Sequence, residues 1–400
     1  MTQLTPKTIA TVKETIPFLS ENALKLTCEF YQRMFRENPE VKKFFNPAHQ
    51  KSGAQQGALA GAVCAFAQNI ETPENLAEAV SLIAHKHVSL GVQPEHYPIV
   101  GKHLLGAIDA LLDPAPPEIL EAWGQAYGFL ADVLIGAEAA LFEQKPWQGF
   151  KPFRIVRKAV QCATITSFYL EAEDGSSAPS FLPGQYITVR IPTPDGSTTM
   201  RNYSLSNHGD SKFLRISVKR EGGVGDDAPA GYASNHLHLE LSEGDTIEVA
   251  APSGDFVFDM KNRVAPVLLV SGGVGITPVL SMLHAAAVKG VPTTFIHGAP
   301  DSSRHSFKGE VDLLVKKYDH LQSHYRYSEP RAGDTPDSTG FLDLKLIEGY
   351  LTPDTEVYFC GPKPMMSAVL SALVDLGHQA NQIHFEFFGP KEELQQCPMH

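Results

Sequence analysis

At 400 residues the chain exceeds what one hydrophobic core usually serves, which predicts two or three domains. Its 43% hydrophobic and 20% charged residues are ordinary soluble usage, and a formal charge of -12 with a pI near 5.7 argues against nucleic acid or anionic membrane as a partner. The start, MTQLTPKTIATVKETI, has no apolar h-region, so no signal peptide is expected. The longest apolar run, Val264 to Val270, is too short to span a bilayer. Cys28, Cys64, Cys162, Cys360 and Cys397 are odd in number and form no CxxC pair, which fits reduced thiols and a cytoplasmic location.

Residues 1–142 read as helices almost throughout. Apolar side chains recur at helical spacing through Leu24, Cys28, Tyr31, Met34 and Phe35, then Leu59, Val63, Phe66 and Ile70. Three more stripes follow: Leu76, Val80, Ile83, His87 and Leu90; Val100, Leu104, Ala107 and Leu111; Trp123, Tyr127, Leu130, Leu134 and Phe142. Asn38-Pro39, Thr72-Pro73, Gly91 with Pro94, and Asp113-Pro114 punctuate them. Residues 143–151, around Lys145-Pro146-Trp147, read as a linker. From Phe153 the pattern becomes short β runs, FRIVRKAV, ITSFYLEA, QYITVRIP, FLRISVKR and DTIEVAAP, which predict a small antiparallel barrel over 152–262. Over 263–400, PVLLVSG, TPVLSMLHAAAVKG, TTFIHGA and EVYFCGP alternate strand with helix, the pattern of a doubly wound parallel sheet.

Gly272-Gly273-Val274-Gly275-Ile276-Thr277 joins a buried strand to a helix start. Glycines there let backbone N–H groups approach a phosphate, and the helix N-terminus adds partial positive charge. Arg201-Asn202-Tyr203-Ser204 offers a fork for a diphosphate, a ring for stacking and a hydroxyl for a ring nitrogen. Each motif alone is weak, but their order with Cys360-Gly361-Pro362 makes the set specific. In the helical part, His85 and His87 lie roughly 200° apart on a helix, so both cannot face one pocket. His87 follows the apolar stripe, and neutral imidazole is a good iron ligand.

Across residues 152–400 these motifs resemble the ferredoxin–NADP reductase family. The resemblance implies that Tyr186 and Arg201 to Ser204 hold FAD and that Gly272 to Thr277 hold NAD(P)H. It also implies that the closing Phe387, Phe388, Gly389 and Pro390 place an aromatic ring on the flavin. The helical part resembles a globin through FYQRMFRENPEVKKFFN, IAHKH, PEHYPIVGKHLL and AWGQAYG. The whole is similar to the flavohaemoglobin family: an all-α globin, an antiparallel β-barrel FAD domain and an α/β nicotinamide-binding domain. That resemblance implies haem b, FAD and NAD(P)H as cofactors, nitric oxide and O2 as substrates, and nitrate as product.

Carried over residue by residue, His87 is the haem ligand, and Tyr31 and Gln55 stand on its distal side. Phe45 packs on the haem, and Tyr97 and Glu138 orient His87. Lys86 and Glu386 are charged residues tuning the haem and flavin potentials. Several readings stay open on the residues alone. Gln56 competes with Gln55, Tyr31 suits a core position, and Cys360 suits a buried thiol as well as a functional one. Ser302, Ser303 and Arg304 are candidates for choosing between NADH and NADPH. A monomer is expected, and lipid in the haem pocket stays open. The rival functions are an oxygen carrier with a vestigial reductase and a reductase whose helical domain binds a partner.

Overall fold

The computed structural model describes residues 4–45, 50, 53–209, 211–223, 230–258 and 265–389. Val264, Pro390 and Cys397 lie outside them. The described chain divides into two compact units, residues 1–149 with 190–200, and 150–189 with 201–389, and each is taken by itself.

The first unit is built from α1 (Pro6–Glu21), α2 (Ala23–Glu37), α3 (Ala54–Gln68), α4 (Ala77–Leu90), α5 (Tyr97–Leu112) and α6 (Pro117–Glu143), with short 3-10 turns between them. Thr5 caps α1 by accepting the Thr8 N–H at 3.1 Å, with Pro6 at the first helical position. It falls in the stretch read as helical but shows no apolar stripe, because two of its four buried positions are Thr8 and Thr15, beside Val12 and Leu19. Gly91 ends α4 in the left-handed region at φ 76°, and the Val92 N–H donates to the His87 carbonyl at 3.0 Å. Phe30, Met34, Phe66, Leu104, Ile108 and Trp123 form the core, where the Trp123 indole donates to Thr15 Oγ1 at 3.0 Å. α5 and α6 approach closely, since a Cβ on Gly101 would lie 2.7 Å from the Tyr127 ring. By length and hydropathy α6 could cross a bilayer, but it packs on α1, α4 and α5 and buries Trp123, Ala126 and Glu138, as a core helix does.

After the helices come six antiparallel strands, of the second unit except where β3 and β4 run through 190–200: β1 (Phe150–Val160), β2 (Ile165–Ala172), β3 (Tyr186–Pro192), β4 (Thr198–Ser204), β5 (Leu214–Lys219) and β6 (Thr246–Ala250), ordered β4-β3-β6-β1-β2-β5. A bridge between Leu205 and Ile216 joins the two ends of that order, the closure expected of a small barrel. One short helix, α7 (Tyr232–Leu239), is inserted. β1 begins three residues before the predicted run.

A parallel sheet follows, ordered β10-β9-β8-β7-β11-β12 and made of β7 (Val267–Gly272), β8 (Thr293–Ala299), β9 (Leu321–Tyr327), β10 (Ser338–Thr339), β11 (Glu356–Cys360) and β12 (Ile383–Glu386). Its helices are α8 (Ile276–Lys289), α9 (Lys308–Lys317), α10 (Leu344–Glu348) and α11 (Lys363–Asp375). Leu269, Phe295 and Tyr358 pack with Val279, Leu283 and Val311 on one face, while Leu268, Ile296 and Phe359 pack with Met366, Val369 and Leu373 on the other. Burial on both faces explains why β7 reads as a continuous apolar run.

Candidate functional site

α4 delivers His87 one turn before its glycine stop. The short turn Pro94–His96 then starts α5 with Tyr97, and α6 brings up Glu138 from 51 residues away. Glu138 Oε1 accepts from His87 Nδ1 at 2.7 Å and from the Tyr97 hydroxyl at 2.5 Å, and the Tyr97 oxygen lies 3.2 Å from Nδ1. Glu138 is buried, and its Oε2 finds no partner among the described residues. Burial raises the Tyr97 pKa and the Glu138 charge raises it further, so the phenol keeps its proton. With the proton fixed on Nδ1, the lone pair of His87 sits on Nε2, and its side chain is 32% exposed. No group of three His, Cys, Asp or Glu able to hold a metal exists among the described residues. A single imidazole with a free Nε2 lone pair is the donor set that fits an iron whose other ligands a porphyrin supplies.

Tyr31, on α2, is 5% exposed. Burial raises its pKa despite hydrogen bonds with the side chains of Gln55 and Gln50. Gln56 instead donates to the Gln50 carbonyl at 3.3 Å and to its Oε1 at 3.0 Å, so Gln55 rather than Gln56 meets the tyrosine. Phe45 stands edge-on to the Tyr31 ring at 5.6 Å and to Phe35 at 5.2 Å. Sequence reasoning missed Gln50, and nothing in the surrounding sequence distinguishes it from the chain's other glutamines. Lys86 is exposed on α4, between His85 and His87.

In the barrel, Tyr186 pairs with Ser253 in both directions, at 2.9 and 2.8 Å. Gly254 has φ 114°, and a Cβ there would lie 3.0 Å from the Tyr186 ring. The preceding turn needs Gly184, at φ 104°, where a Cβ would lie 2.1 Å from the Phe256 carbonyl oxygen. β4 carries Arg201, Asn202, Tyr203 and Ser204. Asn202 Oδ1 accepts from Thr188 at 2.8 Å, a structural bond within the barrel. Burial disfavours the charge of Arg201, a penalty that an anionic diphosphate would offset, and burial likewise raises the pKa of Tyr203. The cradle and its guanidinium fit a flavin dinucleotide.

The glycines between β7 and α8 do separate jobs. Gly273 has φ 53°, and a Cβ there would meet nothing within 4 Å, leaving open space above the helix N-terminus. At Gly275 a Cβ would lie 2.3 Å from the Cys360 carbonyl oxygen, so the glycine loop rests directly on Cys360-Gly361-Pro362. That cradle fits a dinucleotide phosphate. Thr277 caps the turn by donating to the Val274 carbonyl at 3.0 Å. Cys360 is buried, and burial together with nearby Glu386 raises its pKa, which favours the inert thiol over a nucleophile. At the end of β12, Glu386 pairs in register with Cys360; Phe387 packs on the sheet, while Phe388 is 47% exposed. Ser303 and Arg304 gather around Asp301, a residue sequence reasoning passed over.

Family models match three stretches: Globin at residues 28–134, Oxidoreductase FAD-binding domain at 152–258, and Oxidoreductase NAD-binding domain at 269–371. The fold and its sites thus define an NAD(P)H-dependent oxidoreductase carrying a globin in the same chain. A Flavohemoprotein of Rhodopirellula baltica is 46% identical over 404 residues, covering 98% of this chain and 99% of the relative, and one of Bacillus thuringiensis is 43% identical over 98% and 100%. The chain belongs to the flavohemoprotein family. A flavohemoglobin structure from Malassezia yamatoensis, with FAD and heme bound, superposes at TM-score 0.86 with 26% identity, covering 97% of this chain and all of that one. The FAD/NAD-binding domain of a nitric oxide dioxygenase from Vibrio cholerae superposes at TM-score 0.55 with 32% identity over 60% of this chain and 99% of that one.

Proposed function

We propose that the protein is a nitric oxide dioxygenase, converting nitric oxide and O2 to nitrate with electrons from NAD(P)H, and so detoxifies nitric oxide. The observation that carries this reading is the Glu138–His87–Tyr97 network in a chain that also holds an intact flavin cradle and glycine loop. A simple oxygen carrier needs no such reductase. When bound, the nicotinamide supplies a hydride, FAD converts the electron pair to single electrons, and haem b supplies a one-electron iron centre.

The rest belongs to the chain's own residues. His87 Nε2 would hold the iron, while Glu138 and Tyr97 keep the proton on Nδ1 and increase the ligand's basicity. Tyr31 offers a protonated phenol, held by Gln55, as donor to a bound polar substrate. Phe45, edge-on to Tyr31, would pack against the porphyrin. Tyr186, Arg201, Tyr203 and Ser204 orient the flavin, with Asn202 bracing the strand. Gly272, Gly273, Val274, Gly275, Ile276 and Thr277 would receive the nicotinamide dinucleotide, and the half-exposed Phe388 would cover the flavin ring. Lys86 and Glu386 set the local charge that tunes the two potentials. The corresponding domain limits are 1–142, 152–262 and 263–400, with a linker at 143–151.

The test uses the purified full chain loaded with haem and flavin. Nitric oxide should disappear only with both oxygen and a nicotinamide present, with nitrate formed in step. His87→Ala should abolish haem uptake and nitrate formation while nicotinamide-dependent ferricyanide reduction stays within about twofold, because that route needs only the flavin. Oxygen-dependent nicotinamide oxidation without nitric oxide loss would overturn the proposal.

A further inference from the structure

We propose that His297 and His305, two imidazoles stacked inside the nicotinamide-binding sheet, form an acid-sensitive latch. Proton uptake from solvent forces open the connection from β8 to α9 and loosens the glycine loop beside it. The inference rests on the reductase reading for what that loop binds, and goes beyond it in giving the loop a regulator.

His297, on β8, is in register with Ser271 on β7 and Tyr325 on β9, and Ser271 directly precedes Gly272 of the glycine loop. His297 is fully buried, and His305, on the connection leaving β8, is 5% exposed. Their rings stack with centroids 4.7 Å apart and 27° between planes. His297 Nδ1 lies 2.8 Å from Ser271 Oγ, and His305 Nδ1 lies 2.9 Å from the Tyr327 hydroxyl. Both Nε2 atoms, and the Oγ of the buried Ser306 that follows, have no partner among the described residues. Protein cores satisfy nearly all such atoms, so three left over at and beside one stacked pair mark a built-in weakness.

A neutral imidazole tolerates this place, since it stacks as an apolar ring and spends one nitrogen on a hydroxyl. A charged one does not, because its second N–H meets no acceptor in a buried layer. The titratable groups around the pair offer no relief. On β9, Tyr325 stands edge-on to His305 at 4.6 Å and donates its proton to Asp312, while Tyr327 is the partner of His305 Nδ1. On α9, Asp312 is engaged twice, by Tyr325 and by Lys308, each at 2.7 Å, and Lys308 adds positive charge. His284 on α8 is paired with Glu310 of α9, and Cys360 on β11, in register with Ser271, keeps its proton through burial. Burial disfavours the charged form of both imidazoles. The neighbouring ring adds to this at His297, and Lys308 at His305, which is held at about 4 against the opposing pull of Asp312. The connection is also strained. It ends at Phe307, a non-glycine residue at φ 62° whose buried ring is packed in place. Gly298 lies opposite Gly272, so an opening there reaches the glycine loop across one pair of strands.

The experiment is hydrogen exchange of the flavin-loaded full chain at pH 7.5 and pH 5, with protection corrected for intrinsic rates. Opening returns His305 from about 4 to the ordinary value near 6.5, so the open population should grow roughly thirtyfold across this range, and further if His297 joins it. Protection of residues 293–311 should fall by that factor, while the barrel strands change by less than about threefold. Excess NAD+ should restore much of the loss. His305→Gln keeps a polar partner for Tyr327 but takes no proton, so its pH dependence should shrink by about tenfold or more. In the double variant His297→Gln with His305→Gln it should vanish. A merely structural role would lower protection equally at both pH values, which separates it from a latch. Wild-type protection at pH 5 within about threefold of pH 7.5, or an undiminished pH dependence in His305→Gln, overturns the proposal. So does a loss at pH 5 that NAD+ leaves unchanged although it protects the glycine loop at pH 7.5. Failure of NAD+ to protect the glycine loop at pH 7.5 would instead sink the reductase reading.

Discussion

At Glu138 a single carboxylate oxygen takes two donors, one from each neighbouring helix, inside a protein core. Hydrogen bonds to charged acceptors contribute about 1.5–3 kcal/mol, more than neutral ones. Tyr97→Phe removes one of the two without opening a cavity, since Tyr127 still packs there and donates to the Tyr97 backbone carbonyl at 2.7 Å. The expected outcome is a loss of about 2 kcal/mol in the urea unfolding of the helical unit, with haem still bound through His87. An unchanged urea midpoint would mean that Tyr97 only fills space. The resemblance made this triad legible before any coordinates, but periodicity alone did not, because Tyr97 and Glu138 each sit at positions where a core tyrosine or a solvated charge is commoner. Asp301 and Gln50 stayed hidden for a different reason. Their chemistry comes from partners, Arg331 or Tyr31, that the chain brings together only on folding.

Among elements, the glycine-rich turn shows what a pattern can and cannot convey. A strand, glycines and a helix start were visible in the sequence, yet nothing there separates Gly273, which faces open space, from Gly275, which is pressed on the Cys360-Gly361 backbone. That difference decides the effect of substitution. In Gly275→Ala the new methyl meets backbone atoms at 2.3, 2.4 and 2.6 Å, which cannot rotate aside as a side chain would. Overpacking of this kind costs typically about 1–3 kcal/mol. The variant should lose that much stability in chemical denaturation and show a raised nicotinamide KM, with flavin content unchanged. Full stability in the variant would mean the two loops are less tightly joined than their geometry implies. α1 marks the opposite limit, a helix inside the stretch read as helical whose threonine-rich buried face offers no apolar stripe to set its bounds.

At the scale of the whole molecule, the changes of sequence period, helical to alternating to strand-and-helix, mirror the three matched family models. They leave silent what binds the barrel to the parallel sheet within the second unit. That joint is a cluster of the buried Arg215 on β5 with the half-buried Glu310 on α9 and His284 on α8. Both Glu310 oxygens meet the Arg215 fork at 2.9 Å, and Oε1 lies 2.5 Å from His284 Nε2. Burial alone would raise the Glu310 pKa, but hydrogen bonds from His284 and Arg215 outweigh it and hold the group at about 2. A carboxylate depressed on folding stabilises the native state above its unfolded pKa, and that contribution disappears as pH falls through the folded value. The window therefore runs from about pH 4.5 down to about pH 2, and the contribution lost across it is about 3 kcal/mol. Glu310→Gln should be less stable than wild type at pH 6, because it leaves Arg215 buried without its counter-charge, and it should approach wild type as pH falls towards 3. Urea midpoints at pH 6 and pH 3 measure the convergence. Parallel profiles for the two proteins would mean that the clamp is not what holds the barrel against the sheet.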